Sequence, residues 1–105
     1  MYKYIYIIIP TLFSKVKLGC WSGTVSDLKS RYKTYYGEFE LYLFQCDNNR
    51  SDERFLLKYF QNYKWKGELY ESIIIEEFMK IANDITYNYC KVRIWRMNTR
   101  RLNII

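Results

Sequence analysis

The sequence predicts a small α+β domain: a three-stranded antiparallel sheet flanked by helices, in the order β-β-α-β-α-α, followed by a basic tail. Three observations lead to it. The chain has 105 residues, half of them hydrophobic and 20% aromatic, enough for one core and too few for two self-supporting domains. That composition also excludes wholesale disorder. The hydrophobic period changes repeatedly between two and about 3.6 along the chain, which marks strands interleaved with helices. A single Pro and four Gly exclude a linker or a fibrous repeat. Residues 1–84 read as one domain and residues 85–105 as a basic extension, packed on it or trailing from it.

Residues 3–9 (KYIYIII) are β-branched and aromatic, a strand signal that Pro10-Thr11 ends. Residues 14–20 alternate, with Val16, Leu18 and Cys20 on one face and Lys17 and Gly19 on the other, and make a hairpin with the first strand. Val25, Leu28, Tyr32, Tyr35 and Tyr36 recur at steps of three and four, the inward stripe of a helix over 25–36. Thr24 or Ser26 caps it and Gly37 stops it. Residues 38–46 alternate as a third strand, and Asp47-Asn48-Asn49 is a turn. A second helix spans 51–63 with Ser51 as its cap, Gly67 marks a break, and a third helix spans 72–83 with Ile74, Phe78 and Ile81 inward. Residues 86–96 alternate and read equally as an edge strand or a short helix.

The first twenty residues superficially resemble a secretory leader. Lys15 and Lys17 stand where a neutral cleavage region belongs, and the apolar run holds Pro10 and is too short to span a bilayer. The segment is expected to be structure and the protein intracellular rather than secreted, in the cytoplasm or nucleus of a host cell if viral.

The net charge of +6 divides into +5 over residues 1–37, −4 over 38–84 and +5 over 85–105. Basic ends favour a polyanion such as nucleic acid, although a charge of this size also serves solubility alone. Three widely spaced cysteines, Cys20, Cys46 and Cys90, exclude a disulfide scaffold and a zinc ribbon. The chain has no histidine. Histidine bases, Ser-His-Asp triads and histidine-ligated metals are thereby excluded, and chemistry falls to carboxylates, Tyr, Lys, Arg or a bound cation.

Three placements invite chemistry. Tyr4 and Tyr6 share one strand face, which meets Lys17 and Gly19 across the hairpin; a lysine beside a tyrosine lowers the phenol pKa. Packed sheet tyrosines are nevertheless the commoner case. Arg31 lies between Leu28 and Tyr35 at the edge of the helix face on the sheet, where it needs a carboxylate or phosphate partner unless its stem runs over the core to water. Glu53 heads the stripe Leu56, Leu57, Phe60, a candidate ligand for a hard cation such as Mg²⁺ or an ordinary acidic residue at a helix start. In the tail, Lys91, Arg93 and Trp95 line one face, with Arg96, Arg100 and Arg101 beyond, a set suited to phosphate contact or merely to solubility. Cys20 has no base near it in the sequence and reads as a small buried hydrophobe.

The order of these residues resembles the GIY-YIG nuclease superfamily, most closely its phage- and large-virus-type branch. Tyr4-Ile5-Tyr6 is followed after ten residues by Lys17-Leu18-Gly19, then by an arginine in the block Asp27-Leu28-Lys29-Ser30-Arg31-Tyr32, then by Glu53, then by Gly67-Glu68-Leu69-Tyr70. The resemblance covers residues 3–71. It implies that Tyr6 lies beside the attacked phosphate and helps activate water, that Lys17 stands in place of the second-motif tyrosine, that Arg31 stabilises phosphate charge, and that Glu53 holds Mg²⁺ or Mn²⁺. Tyr4 takes the place of the first-motif glycine, Trp21-Ser22-Gly23 resembles a small insertion, and the late asparagine has no clear counterpart. The implied activity is metal-dependent hydrolysis of DNA phosphodiesters, by an endonuclease or nickase. The alternatives are a DNA-binding module of the same fold without activity, and a small viral interaction protein.

Overall fold

A computed structural model describes residues 2–85 in full and residues 91–96 as backbone. Its architecture is α+β, with an antiparallel sheet and three helices. The strands are β1 (Lys3–Pro10), β2 (Lys15–Ser22), β3 (Phe39–Gln45), β4 (Lys64–Lys66), β5 (Leu69–Glu71) and β6 (Lys91–Arg96), in the order β4-β5-β2-β1-β3-β6. The helices are α1 (Val25–Tyr36), α2 (Asn49–Tyr59) and α3 (Ile75–Ile85).

The expected three strands are therefore half of the sheet. The β4–β5 hairpin was hidden because each strand is only three residues long, too short for a visible period. Its turn holds Gly67 at φ +55°, a left-handed conformation that glycine adopts without strain. The alternating tail settles as an edge strand, β6, antiparallel to β3 with Arg93 opposite Leu43 and Trp95 opposite Leu41. Residues 86–90 and 97–105 lie outside the described residues.

β1 is central and buried on both faces. Ile5 and Ile7 join Val16, Leu18, Phe44, Leu56, Phe60, Ile74, Phe78 and Ala82 in one core layer beneath α2 and α3. Tyr4, Tyr6 and Ile8 join Leu28, Phe39, Leu41 and Leu43 in a second layer beneath α1. The period-two alternation of β1 thus feeds two cores, which is why the strand carries no polar face.

Two helix starts differ from expectation. α2 begins at Asn49, because the side chain of Asn48 accepts from the Ser51 amide at 3.1 Å and so caps the helix in place of Ser51. The 51–63 segment also stops early, at Tyr59, and continues as a 3₁₀ turn over Gln61–Tyr63. The segment 72–83 likewise opens with a 3₁₀ turn, Ser72–Ile74, before α3. Asn49 is itself buried, and its amide donates to the Trp21 carbonyl at 3.0 Å and to Ser22 Oγ at 3.2 Å. These bonds pin the start of α2 to the end of β2.

The α1 stripe is only partly inward. Leu28 is its single buried residue, while Tyr35 is 75% exposed. α1 is thus held on the sheet by Leu28 together with the partly buried Val25, Tyr32 and Tyr36. Leu28→Ala should destabilise the fold by about 2–5 kcal/mol, the usual cost of a large-to-small core change, read as a lower midpoint in urea unfolding.

Candidate functional site

The site forms where β2 loses its outer neighbour. β5 pairs with β2 only from Lys15 to Lys17, so the Leu18–Ser22 stretch of β2 has no strand partner on that side among the described residues. Side chains from β1, β2, α1, α2 and the β4–β5 turn gather around this opening.

Tyr6 stands opposite Gly19 in the β1–β2 register, and its ring crosses the glycine. A Cβ on Gly19 would lie 2.5 Å from Tyr6 Oη and 2.6 Å from Cζ. The absence of a side chain at residue 19 is therefore what lets the phenol lie there. Tyr6 is 2% exposed, and its hydroxyl donates to Tyr32 Oη at 3.2 Å. The expected lowering of its pKa by Lys17 is corrected: burial, reinforced by the Tyr32 bond and by the negative field of Glu68 and Glu53, drives it strongly upward. Tyr6 is a neutral phenol at physiological pH.

Lys17 sits on the same face, 6% exposed, with Nζ 5.9 Å from the centre of the Tyr6 ring and 5.5 Å from that of Tyr32. Its ammonium is paired with Glu68 and also reaches the Leu18 carbonyl at 3.4 Å. A buried ammonium requires such a counter-charge. Lys17 in turn, first by hydrogen bond and then by charge, lowers the Glu68 pKa below the ordinary carboxylate value, with help from Arg31 and Lys64. Glu68 is therefore a working member of the site, although in the sequence it was only one letter of a motif. Gly67 positions it through the hairpin turn.

Arg31 is exposed, as expected for a stem that runs over the core to water. Its guanidinium turns back over β2, with Cζ 5.9 Å from the Trp21 ring and 5.7 Å from the Tyr32 ring. Lys17, Arg31, Tyr32, Tyr35, Tyr36 and Glu68 line one cleft of about 240 Å³. Tyr4 is buried in the α1-side core layer, paired in register with Trp21 and Gln45, and does not line that cleft.

Glu53 arrives from α2, on the other side of the sheet. It is half-buried and lines a neighbouring cavity of about 90 Å³ with Leu18, Leu57, Lys64, Gly67, Glu68 and Tyr70. The two cavities share Glu68. Glu53 and Glu68 are the two carboxylates on this small cavity, which Lys64 also lines, and are the residues that could hold a cation such as Mg²⁺, which binds through one or two carboxylates and retains its waters. Among the described residues no three or more Cys, Asp or Glu side chains converge into a larger metal-binding group.

Cys20 does have a carboxylate beside it. Its Sγ donates to Glu53 Oε1 at 3.4 Å. Burial, then the charge and hydrogen bond of Glu53, push its pKa from 9.0 up to about 11. It is a protonated thiol, so the carboxylate works against nucleophilicity.

The exposed hairpin residues Lys64, Trp65 and Lys66 were not singled out in the sequence. Lys15 Nζ lies 5.2 Å and Lys66 Nζ 5.9 Å from the Trp65 ring, which Phe13 meets edge-on at 6.0 Å. The signal was a tryptophan between two lysines. The expected nucleic-acid contacts Lys91, Arg93, Trp95 and Arg96 fall in β6, described as backbone alone, and Arg100 and Arg101 lie outside the described residues. A separate cavity of about 310 Å³ between α2 and α3 is lined by Tyr59, Phe60, Tyr63, Ile73, Ile74 and Glu77 and gathers no cation.

Among known proteins, the chain is similar to two uncharacterized proteins of Acanthamoeba polyphaga mimivirus. One is 39% identical over 69 residues, covering 65% of this chain and 18% of the relative. The other is 32% identical over 75 residues, covering 70% and 13%. The chain thus spans less than a fifth of the length of these relatives. No protein-family profile and no solved structure matches it. Among the described residues no helix is long and apolar enough to cross a membrane.

Two outcomes follow from this geometry. Gly19→Ala should cost about 1–3 kcal/mol in urea unfolding, because the Tyr6 ring must move out of a packed layer. Cys20 should be alkylated by iodoacetamide with a midpoint near pH 11, and Glu53→Gln should bring that midpoint down while leaving it above 9, since burial remains. Peptide mass mapping separates Cys20 from Cys46 and Cys90. The sign for stability follows from linkage: a thiol held protonated by the fold supports it up to about pH 9, and that support is lost as the pH rises toward about 11.

Proposed function

We propose that this chain carries a GIY-YIG-like site that hydrolyses DNA phosphodiester bonds with Mg²⁺ or Mn²⁺, as an endonuclease or nickase. The observation that carries the reading is the meeting of Tyr6, Lys17 and Arg31, drawn from β1, β2 and α1, around the open stretch of β2, with Glu53 in the adjoining cavity. A packed core would account for each residue singly. It does not account for two cations converging on one cleft walled by Tyr32, the residue to which the buried Tyr6 donates.

In this reading Arg31 and the Lys17 ammonium bind the non-bridging oxygens of the attacked phosphate and stabilise the charge that grows on them. Tyr6 stays neutral and, through the hydrogen bond it donates to Tyr32, fixes the phenol that orients the attacking water at the cleft; that water gives its proton to a non-bridging oxygen of the phosphate. Glu53, supported by Glu68, would hold the cation, which when bound adds Lewis-acid stabilisation of phosphate charge. The basic residues of β6 and the tail add sequence-independent phosphate contacts.

A second reading, a DNA-binding module without activity, is favoured by one observation: the Tyr6 phenol is far too weak an acid to act as a free base. A plasmid-nicking assay with Mg²⁺ or Mn²⁺, run beside an EDTA control and Glu53→Ala, decides between them. Metal-dependent nicking that falls by about 10²–10³-fold in Glu53→Ala, a loss of the size seen when transition-state charge stabilisation is removed, supports the nuclease. Absence of nicking by folded protein that still retards DNA on a gel supports the binding module. Full activity of Glu53→Ala removes Glu53 from the site.

A further inference from the structure

We propose that the cleft beside α1 is a nucleobase-binding site, which stacks one unpaired base of a DNA strand next to the phosphate held by Arg31 and Lys17. The substrate would then be single-stranded or locally unpaired DNA. The inference rests on the nuclease reading only for the role of that phosphate; the stacking site stands on its own geometry.

The helix α1 carries three tyrosines in its last five residues but buries only Leu28. Tyr32 and Tyr36 stack on each other, 5.9 Å apart with planes 23° from parallel. Tyr35 leans on both, at 6.1 and 6.4 Å, while remaining 75% exposed. An aromatic side chain so exposed gains little from the fold. It does give the 240 Å³ cleft an open ring surface, with the Arg31 guanidinium 5.7 Å from the neighbouring Tyr32 ring. Rings flanked by cations are how proteins take single strands: the bases stack on the aromatic faces while the cations meet the backbone. The one acid lining the cleft, Glu68, is paired with Lys17, so the empty cleft meets an approaching strand with no unpaired acid. A duplex hides the faces of its bases and has nothing to offer this surface.

The site is tied to the candidate chemistry through one bond. Tyr32, a wall of the cleft, accepts the hydrogen bond from Tyr6. A base stacked on the tyrosines therefore lies within one residue of the phenol.

The test uses the full chain in EDTA, so that cleavage plays no part. A single-stranded oligonucleotide carrying 2-aminopurine is titrated beside the matched duplex. Quenching of the fluorescent base when the protein binds the single strand is expected, with binding about tenfold tighter than for the duplex, in line with the measured cost of losing one stacked base. Tyr35→Ala should lose the quenching and about tenfold in single-strand affinity with duplex affinity unchanged, whereas Tyr35→Phe retains both. Because Tyr35 is exposed, both variants should keep the circular dichroism spectrum of the parent. Equal affinity for single strand and duplex, or a Tyr35→Ala protein that binds and quenches like the parent, overturns the proposal. Failure of the nuclease reading would show separately, as no cleavage of the same single strand with Mg²⁺ or Mn²⁺ while stacking stays intact.

Discussion

The arrangement depends on how the central strand of the sheet disposes of a tyrosine. β1 is covered on both faces, so any polar atom on it must find a partner inside the protein. Tyr6 is accommodated by two features at once. Gly19, opposite it, leaves room for the ring, and Tyr32, from α1, accepts its hydroxyl. These two contacts fix the lateral position of α1 over the sheet more closely than its one buried leucine does. They also place Lys17, two residues before Gly19 on the same face, against both phenols.

The second constraint is electrostatic. A lysine buried between two aromatic rings needs an anion, and the sheet supplies one at the point where β5 ends. The β4–β5 hairpin is just long enough to pair with the start of β2 and then turn Glu68 toward Lys17. Because β5 reaches no farther, the rest of β2 stays open. The same short hairpin thus neutralises the lysine and leaves the cleft accessible. Its exposed Lys64-Trp65-Lys66 face adds more positive charge at the rim.

The sequence made the alternation of β1, β2 and β3 and the stripes of α2 and α3 readable, because each buried face repeats over at least three residues. The β4–β5 hairpin was not readable, since three-residue strands establish no period and Gly67 alone says only that something breaks. α1 was half readable. Its tyrosines fall at helical spacing, but spacing cannot distinguish a ring packed in a core from one left open on a cleft, and Tyr35 is the latter. In the site, the pairing of Tyr6 with Gly19 followed from hairpin logic. The sign of the Tyr6 pKa did not: a nearby lysine argues for a lower value, and only the burial of both groups shows that desolvation prevails. Glu68 as the partner of Lys17 depends on a hairpin that could not be seen. The carboxylate beside Cys20 depends on where α2 crosses the sheet, which residue spacing does not encode.

For the proposed phosphate site, the Lys17–Glu68 pair also bears on how the cleft can be stable when empty and still admit that group. Lys17 is buried, and a buried ammonium is costly without an anion beside it. Glu68 provides that anion from a glycine-containing turn, with 78% of its own side chain in water, so it loses little hydration by pairing and little by leaving. An arriving phosphate presents the same charge and more acceptor oxygens at the same ammonium. It can replace the carboxylate without leaving Lys17 unpaired at any point, while Glu68 returns to solvent or turns toward the Glu53 cavity that it also lines. In that reading the exchange is eased because one partner is buried and the other exposed. A pair buried at both ends would have to lose a desolvated ion pair before substrate could enter, and the cleft would then be a structural element rather than a binding site.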